Sequence, residues 1–294
     1  MSSRLSKALS IAAVRRCLFC CKGITKPPSS NCTKAIVSDA GLAAARFRDE
    51  FGEFIRFLRR PRLAPRLPGR RTGRGSWEAD WLVQLPLRRL WQWAAFLWVI
   101  NIVFLGPIAF IAAGAGGAQH HMSLFNIPWL QAIVWAPIVE ELVFRYGLRR
   151  LGQAVWVVPA AAVIMVTGPT WPTAMLLAVV VVWCRWVELR SSRMDGGLLP
   201  WSRRRVYLAL FPWVFHASCL LFAAVHLHNF SLNHTPYWLM PLLVLPQWLT
   251  GLVLGWQRVK RGIGASMLLH GLFNTGPLLI VWVVLHTVPH LLAT

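Results

Sequence analysis

The sequence predicts an all-α fold, a polytopic transmembrane helical bundle of about seven spans with room for an eighth, its N-terminus on the cytoplasmic side. Three observations lead there. Of 294 residues, 56% are hydrophobic, 17 are Trp and only 10 are acidic, which is too apolar and acid-poor for an ordinary soluble domain. Apolar runs long enough to cross a bilayer recur along the chain. The connections between them alternate between basic and uncharged, as loops on the two sides of a membrane do.

Taken in order, residues 1–38 hold no acidic residue and mix Arg, Lys, Ser and Ala, a composition shared by organelle transit peptides and basic cytoplasmic tails. Over 42–60, Phe47, Phe51, Phe54, Ile55 and Leu58 recur at helical spacing among Arg46, Arg48, Arg56, Arg59 and Arg60, the pattern of an amphipathic helix lying on anionic lipid. The Arg, Pro and Gly-rich run from Pro61 to Gly75 reads as a linker. A boundary follows there: 1–75 is expected to be a basic, partly disordered N-terminal region, and 76–294 the bundle.

The spans are expected at roughly 90–113, 127–148, 154–168, 170–188, 206–226, 237–257 and 263–287. Basic connections carry Arg70, Arg71, Arg74, Arg88 and Arg89, then Arg149 and Arg150, then Arg190, Arg193, Arg203, Arg204 and Arg205, then Arg258, Lys260 and Arg261. The connections between these lack Lys and Arg. No segment shows the two-residue alternation of a membrane β-strand. Trp91, Trp129, Trp171 and Trp238 stand near span ends, where the indole suits the interface.

A formal charge of +21 would suit nucleic acid if the basic residues formed one footprint. Instead, 17 of the 31 Lys and Arg lie in residues 1–75 and the rest sit in short clusters between apolar runs, so no nucleic-acid partner is expected. Cys17 and Cys20 form half of a zinc-type pair, but no second pair follows. Cys17, Cys20, Cys21 and Cys32 read equally as free thiols or sites of acylation. Cys184 and Cys219 lie in apolar segments and behave as small hydrophobes.

Ionisable residues in hydrocarbon are costly, so each needs a partner, a wet cavity or a function. In the second span, Glu140 and Glu141 are adjacent. Glu141 and Arg145 share a face four residues apart, acid first, the favourable order for an ion pair. Glu140 points about 100° away and has no partner on its own helix, which makes it the candidate base. The fifth span ends in Phe222-Ala223-Ala224-Val225-His226, and the seventh puts His270 and Asn274 on one face. A carboxylate, two imidazoles and an amide suffice for hydrolysis: one takes a proton from water, another orients it, and N–H donors meet the oxyanion. The same residues also admit structural readings, with Glu141 and Arg145 as a brace and His270 with Asn274 as a bridge between helices. His120, His121, His228, His234, His286 and His290 fall in or beside outer loops or the tail and are expected to be solvated.

One count stands against a shared site. From the basic end, Glu140 and His270 lie about 12 Å deep at ~1.5 Å per residue, whereas His226 counts to the far end of its span. Convergence requires the fifth span to start later, near Pro212, or its loop to dip inward.

The three motifs, Glu140-Glu141-x-x-x-Arg145, Phe222-x-x-x-His226 and His270-x-x-x-Asn274, in this order on separate spans, resemble those of the CAAX protease and bacteriocin-processing family, also called the type II CAAX prenyl endopeptidase or Abi family. The approach Gly262-Ile263-Gly264-Ala265-Ser266 resembles the family's turn before its last motif. The resemblance covers about 130–280 and implies a glutamate-dependent intramembrane peptidase acting on a membrane-associated peptide or lipidated protein. In that case Glu140 and His226 activate water, His270 and Asn274 stabilise the oxyanion, and Glu141, Arg145 and Phe222 support them, with no cofactor. The alternative mechanism makes Glu140, His226 and His270 zinc ligands. A bacterial inner membrane is the expected location and an organelle membrane the alternative. Two other functions stay open: a non-catalytic relative serving as scaffold or bacteriocin-immunity protein, and a proton-coupled transporter, although no repeated halves are visible.

Overall fold

A computed structural model of the chain describes residues 46–63, 80–81, 87–121, 128–191, 201–232 and 234–287. The basic tail with its four cysteines, most of the linker and His290 lie outside them. Arg46–Thr294 forms one compact unit, and among its described residues it is all-α apart from one two-residue strand pair. In chain order the helices are α1 (Phe47–Arg59), α2 (Leu87–Val99), α3 (Gly106–Gly116), α4 (Ala136–Phe144), α5 (Leu151–Thr167), α6 (Trp171–Ser191), α7 (Trp201–Val225), α8 (Met240–Leu243), α9 (Leu245–Arg261) and α10 (Ile263–Thr287). Strand β1 (Gln119–His120) pairs antiparallel with β2 (Phe230–Ser231).

Two wide π-helical stretches, Ile100–Leu105 and Gln131–Trp135, lead directly into α3 and α4. Both precede a proline, Pro107 or Pro137. A proline supplies no N–H, and its ring crowds the carbonyl four residues earlier. The wider turn accommodates this, and it leaves the carbonyls of Ala132 and Ile133 on the face that meets α10.

Among the described residues, four helical stretches are long and apolar enough to cross a membrane: Leu87–Gly116, Trp171–Arg190, Arg205–Asn229 and Ile263–Thr287. Leu151–Thr167 is apolar but shorter. The expected spans 127–148 and 237–257 are divided. The first stops at Phe144 and turns through a 3₁₀ segment, Tyr146–Leu148. The second becomes α8 and α9, and α9 is buried continuously from Thr250 to Lys260, so it is the helix the others surround. Outward-facing apolar residues such as Phe110, Ile111, Val166, Val182, Trp213 and Leu221 are exposed, as a surface solvated by lipid tails would be.

The basic connections meet at one end. Asp80 is fully buried and bridges Arg258 Nη1 at 2.5 Å and Arg150 Nε at 2.8 Å, and Arg150 also reaches Glu188 at 2.7 Å. Arg149 donates to the Val259 carbonyl at 2.6 Å. At the opposite end β1 pairs with β2, and the Thr235 hydroxyl donates to the Gly116 carbonyl at 2.9 Å. Of the described connections, the basic ones carrying Arg149, Arg150 and Arg258 thus gather together, apart from the uncharged ones after Gly116 and before Met240.

Helix α1 does not rest its apolar stripe on lipid. Phe54 and Phe57 are buried against Trp93, Phe215 and Trp256 in the main core. Glu50, also buried, pairs with Arg89 at 3.0 Å and Arg261 at 2.7 Å, while Glu53 meets Lys260 at 2.6 Å. The basic face, including Arg48, Arg56, Arg59 and Arg60, points outward. The helix is therefore packed into the same unit as the bundle, upstream of the boundary the linker suggested.

Candidate active site

Helix α4 positions both acidic residues. Glu141 is completely buried and its four-residue partner is Arg145, with Nη1 to Oε1 at 2.6 Å. The same carboxylate accepts from the Ser266 hydroxyl and, at 3.1 Å, from His270 Nδ1, both on α10. The Arg145 guanidinium stacks over the Phe222 ring at 3.8 Å from its centroid. Its Nε and Nη2 have no hydrogen-bond partner among the described residues, and the negative face of that ring partly replaces one.

Phe222 is the hub between α4, α7 and α10. Its ring meets His226 edge to face at 4.7 Å and His270 at 5.7 Å between centroids. His226 Nδ1 lies 2.8 Å from the Phe222 carbonyl. A carbonyl only accepts, so Nδ1 holds the proton and Nε2 of the neutral ring is a free acceptor. The bond of His270 Nδ1 to a carboxylate fixes that ring in the same sense and aims Nε2 at Glu140, whose Oε2 is 3.8 Å away. That Oε2 is buried and accepts no hydrogen bond from any described residue. Asn274 Nδ2 donates to the Ala132 carbonyl at 2.8 Å, which leaves its second N–H uncommitted.

All seven residues singled out from the sequence are joined: Glu140 faces His270, His270 bonds Glu141, Glu141 pairs with Arg145, and Arg145 stacks on Phe222 beside His226. Asn274 shares a cavity of about 150 Å³ with Phe222, His226 and His270. His226, which counted to the wrong depth, belongs to this cluster through its ring contact with Phe222 and the shared cavity. The fifth span does not start late, because Tyr207 already donates to the Gly147 and Leu148 carbonyls. The second span instead ends early. After Phe144 the chain turns inside the protein, with Arg145, Tyr146 and Leu148 buried. Arg258 donates to carbonyls of that turn, Arg145 at 3.0 Å and Tyr146 at 3.1 Å. Counting a straight helix to residue 148 misplaced Glu140.

Sequence reasoning missed Ser266, which lies one helical turn before His270 and so shares its face. It also missed the other polar walls of the cavity, Gln247 and Thr250 on α9. Among the described residues, no three His, Cys, Asp or Glu side chains are gathered in a group that could hold a metal ion.

The chain matches the family model described as type II CAAX prenyl endopeptidase, Rce1-like, over residues 122–276. The chain belongs to that family. The match covers more than half of the sequence and contains all three motifs, the π turn before α4 and the buried α9. The Rce1-like family is a protease family, and with its long apolar helices this member is an integral membrane protein. No curated protein and no solved structure matches the chain.

Proposed function

We propose that the protein is an intramembrane endopeptidase that hydrolyses a peptide bond of a membrane-associated substrate with a water activated by Glu140. The supporting observation is the contrast between two adjacent carboxylates. Glu141 is saturated by Arg145, Ser266 and His270, whereas the Glu140 Oε2 is buried without a donor among the described residues, 3.8 Å from His270. A buried acceptor without a partner is costly and asks for an explanation, and a water bound between Glu140 and the histidines supplies one.

In this reading Glu140 takes a proton from water while His226 Nε2 accepts the other hydrogen and orients it. The water oxygen attacks the scissile carbonyl. The free N–H of Asn274 donates to the oxyanion, and the His270 ring beside it helps to stabilise that charge. The tetrahedral intermediate collapses, the C–N bond breaks, and the proton held by Glu140 passes to the leaving amine. Glu141 and Arg145 hold His270 in place and touch no substrate.

The family description makes an S-prenylated C-terminal tail the first substrate to try. The outward basic face of α1 is proposed to meet anionic headgroups on the cytoplasmic side. The test is reconstitution of the full chain in liposomes with an S-farnesylated peptide ending in Cys-Val-Ile-Met, in water enriched in oxygen-18. One labelled oxygen in a single new carboxylate is expected. Absence of cleavage by folded protein, or cleavage without label, overturns the reading.

A further inference from the structure

Hydrolysis of a peptide requires the enzyme to hold the chain on both sides of the scissile bond, and a peptide backbone presents N–H groups as well as carbonyls. The cavity wall supplies a donor from Asn274. Acceptors are scarcer. Glu141 is occupied by three partners, Glu140 and His226 Nε2 are reserved for water, and Thr250 already accepts from Asn101 Nδ2 at 3.4 Å.

Gln247 is the exception. It stands in the first turn of α9, after Pro246, and lines the same cavity as His226, His270 and Asn274. Its Oε1 is buried and has no hydrogen-bond partner among the described residues. The mechanism above does not use it. Proline 246 and the burial of α9 from Thr250 onward fix the helix that carries it, so the amide is presented on a rigid element, as substrate-binding groups are.

We propose that Gln247 is a substrate-binding residue whose side-chain carbonyl accepts a backbone N–H of the substrate peptide beside the scissile bond. The proposal rests on the peptidase reading and assigns the cavity a directional peptide register: one wall for the carbonyl that becomes the oxyanion, the α9 wall for an N–H. A hydrogen bond of this kind changes affinity by about tenfold.

The test uses binding, so that chemistry and recognition separate. Full-length protein carrying Glu140→Gln, in nanodiscs, is titrated with the fluorescent farnesylated peptide and with a set of analogues, each N-methylated at one backbone nitrogen. Methylation at one position beside the scissile bond is expected to weaken binding about tenfold. Adding Gln247→Met is expected to weaken binding of the parent peptide similarly and to abolish the penalty at that position alone. Adding Gln247→Glu, which keeps an acceptor oxygen, retains the penalty, and melting temperatures verify that each variant is folded. A methylation profile unchanged by Gln247→Met, or lost equally in Gln247→Glu, overturns the proposal while leaving the peptidase reading intact. No saturable binding of the peptide by folded protein overturns both.

Discussion

Replacing Arg145 by Met strips the countercharge from a carboxylate that has no access to solvent. Both Glu141 and Arg145 are 0% exposed, with 2.6 Å between Nη1 and Oε1. Removing one partner of a buried ion pair costs about 3–5 kcal/mol, because the other charge is left uncompensated or must take up a proton. Loss of the guanidinium from the Phe222 face at 3.8 Å adds to this, up to about 2 kcal/mol for a desolvated cation over a ring. Ser266 and His270 remain as partners of Glu141 and soften the loss, so the expected net destabilisation is about 3–5 kcal/mol, two to three and a half decades in the unfolding equilibrium. Equilibrium unfolding in mixed micelles, followed by Trp fluorescence, reads it. The double variant Glu141→Gln with Arg145→Met removes both charges and is expected to recover a large part of the loss, since the pair is coupled. An Arg145→Met protein within 1 kcal/mol of the parent, or a double variant whose cost is the sum of the singles, would refute the brace.

Three further outcomes are expected. Gly271→Ala places a Cβ 2.5 Å from the Ile133 carbonyl oxygen, forcing α10 off the π turn; a cost of about 1–3 kcal/mol is expected, with a larger loss of cleavage because the Asn274 bond to Ala132 is disturbed. Phe222→Ala empties the hub under Arg145, His226 and His270 and should cost about 3–5 kcal/mol, whereas Phe222→Leu is milder; equal melting temperatures for the two would contradict the hub. Prolonged dialysis against a chelator is expected to leave cleavage of the farnesylated peptide unchanged, and loss of activity restored by zinc would revive the metal mechanism.

The site was legible to the extent that it is built from local patterns. Glu141 and Arg145 on one helical face, His270 and Asn274 on another, and the isolation of Glu140 all follow from helical periodicity, and the structure brings these residues into one cluster. The alternation of Arg and Lys predicted which connections share an end, and the Asp80, Arg150 and Arg258 bridge joins two of them. What stayed hidden depends on contacts distant in sequence. The break after Phe144 has no Gly or Pro at Arg145 or Tyr146 to announce it, and it is sustained by Arg258, more than a hundred residues away, donating to carbonyls of the turn. Helix α1 has the periodicity of a lipid-bound helix. Its packing against Trp93, Phe215 and Trp256, through Phe54 and Phe57, shows that its stripe is covered by protein. Gln247 and Thr250 carry no pattern at all and become visible only through the cavity they line.

The central claim is that two neighbouring carboxylates have different tasks, and the most direct measurement compares Glu140→Gln with Glu141→Gln in purified, reconstituted protein, recording the initial cleavage rate and the melting temperature of each. Glu140→Gln is expected to melt with the parent and to cleave about 10²–10⁴-fold more slowly, the contribution of a general base. Glu141→Gln is expected to lower the melting temperature, because Arg145 loses its countercharge. A Glu140→Gln protein that cleaves at the parent rate, or one that loses its fold as Glu141→Gln does, would contradict the division of roles.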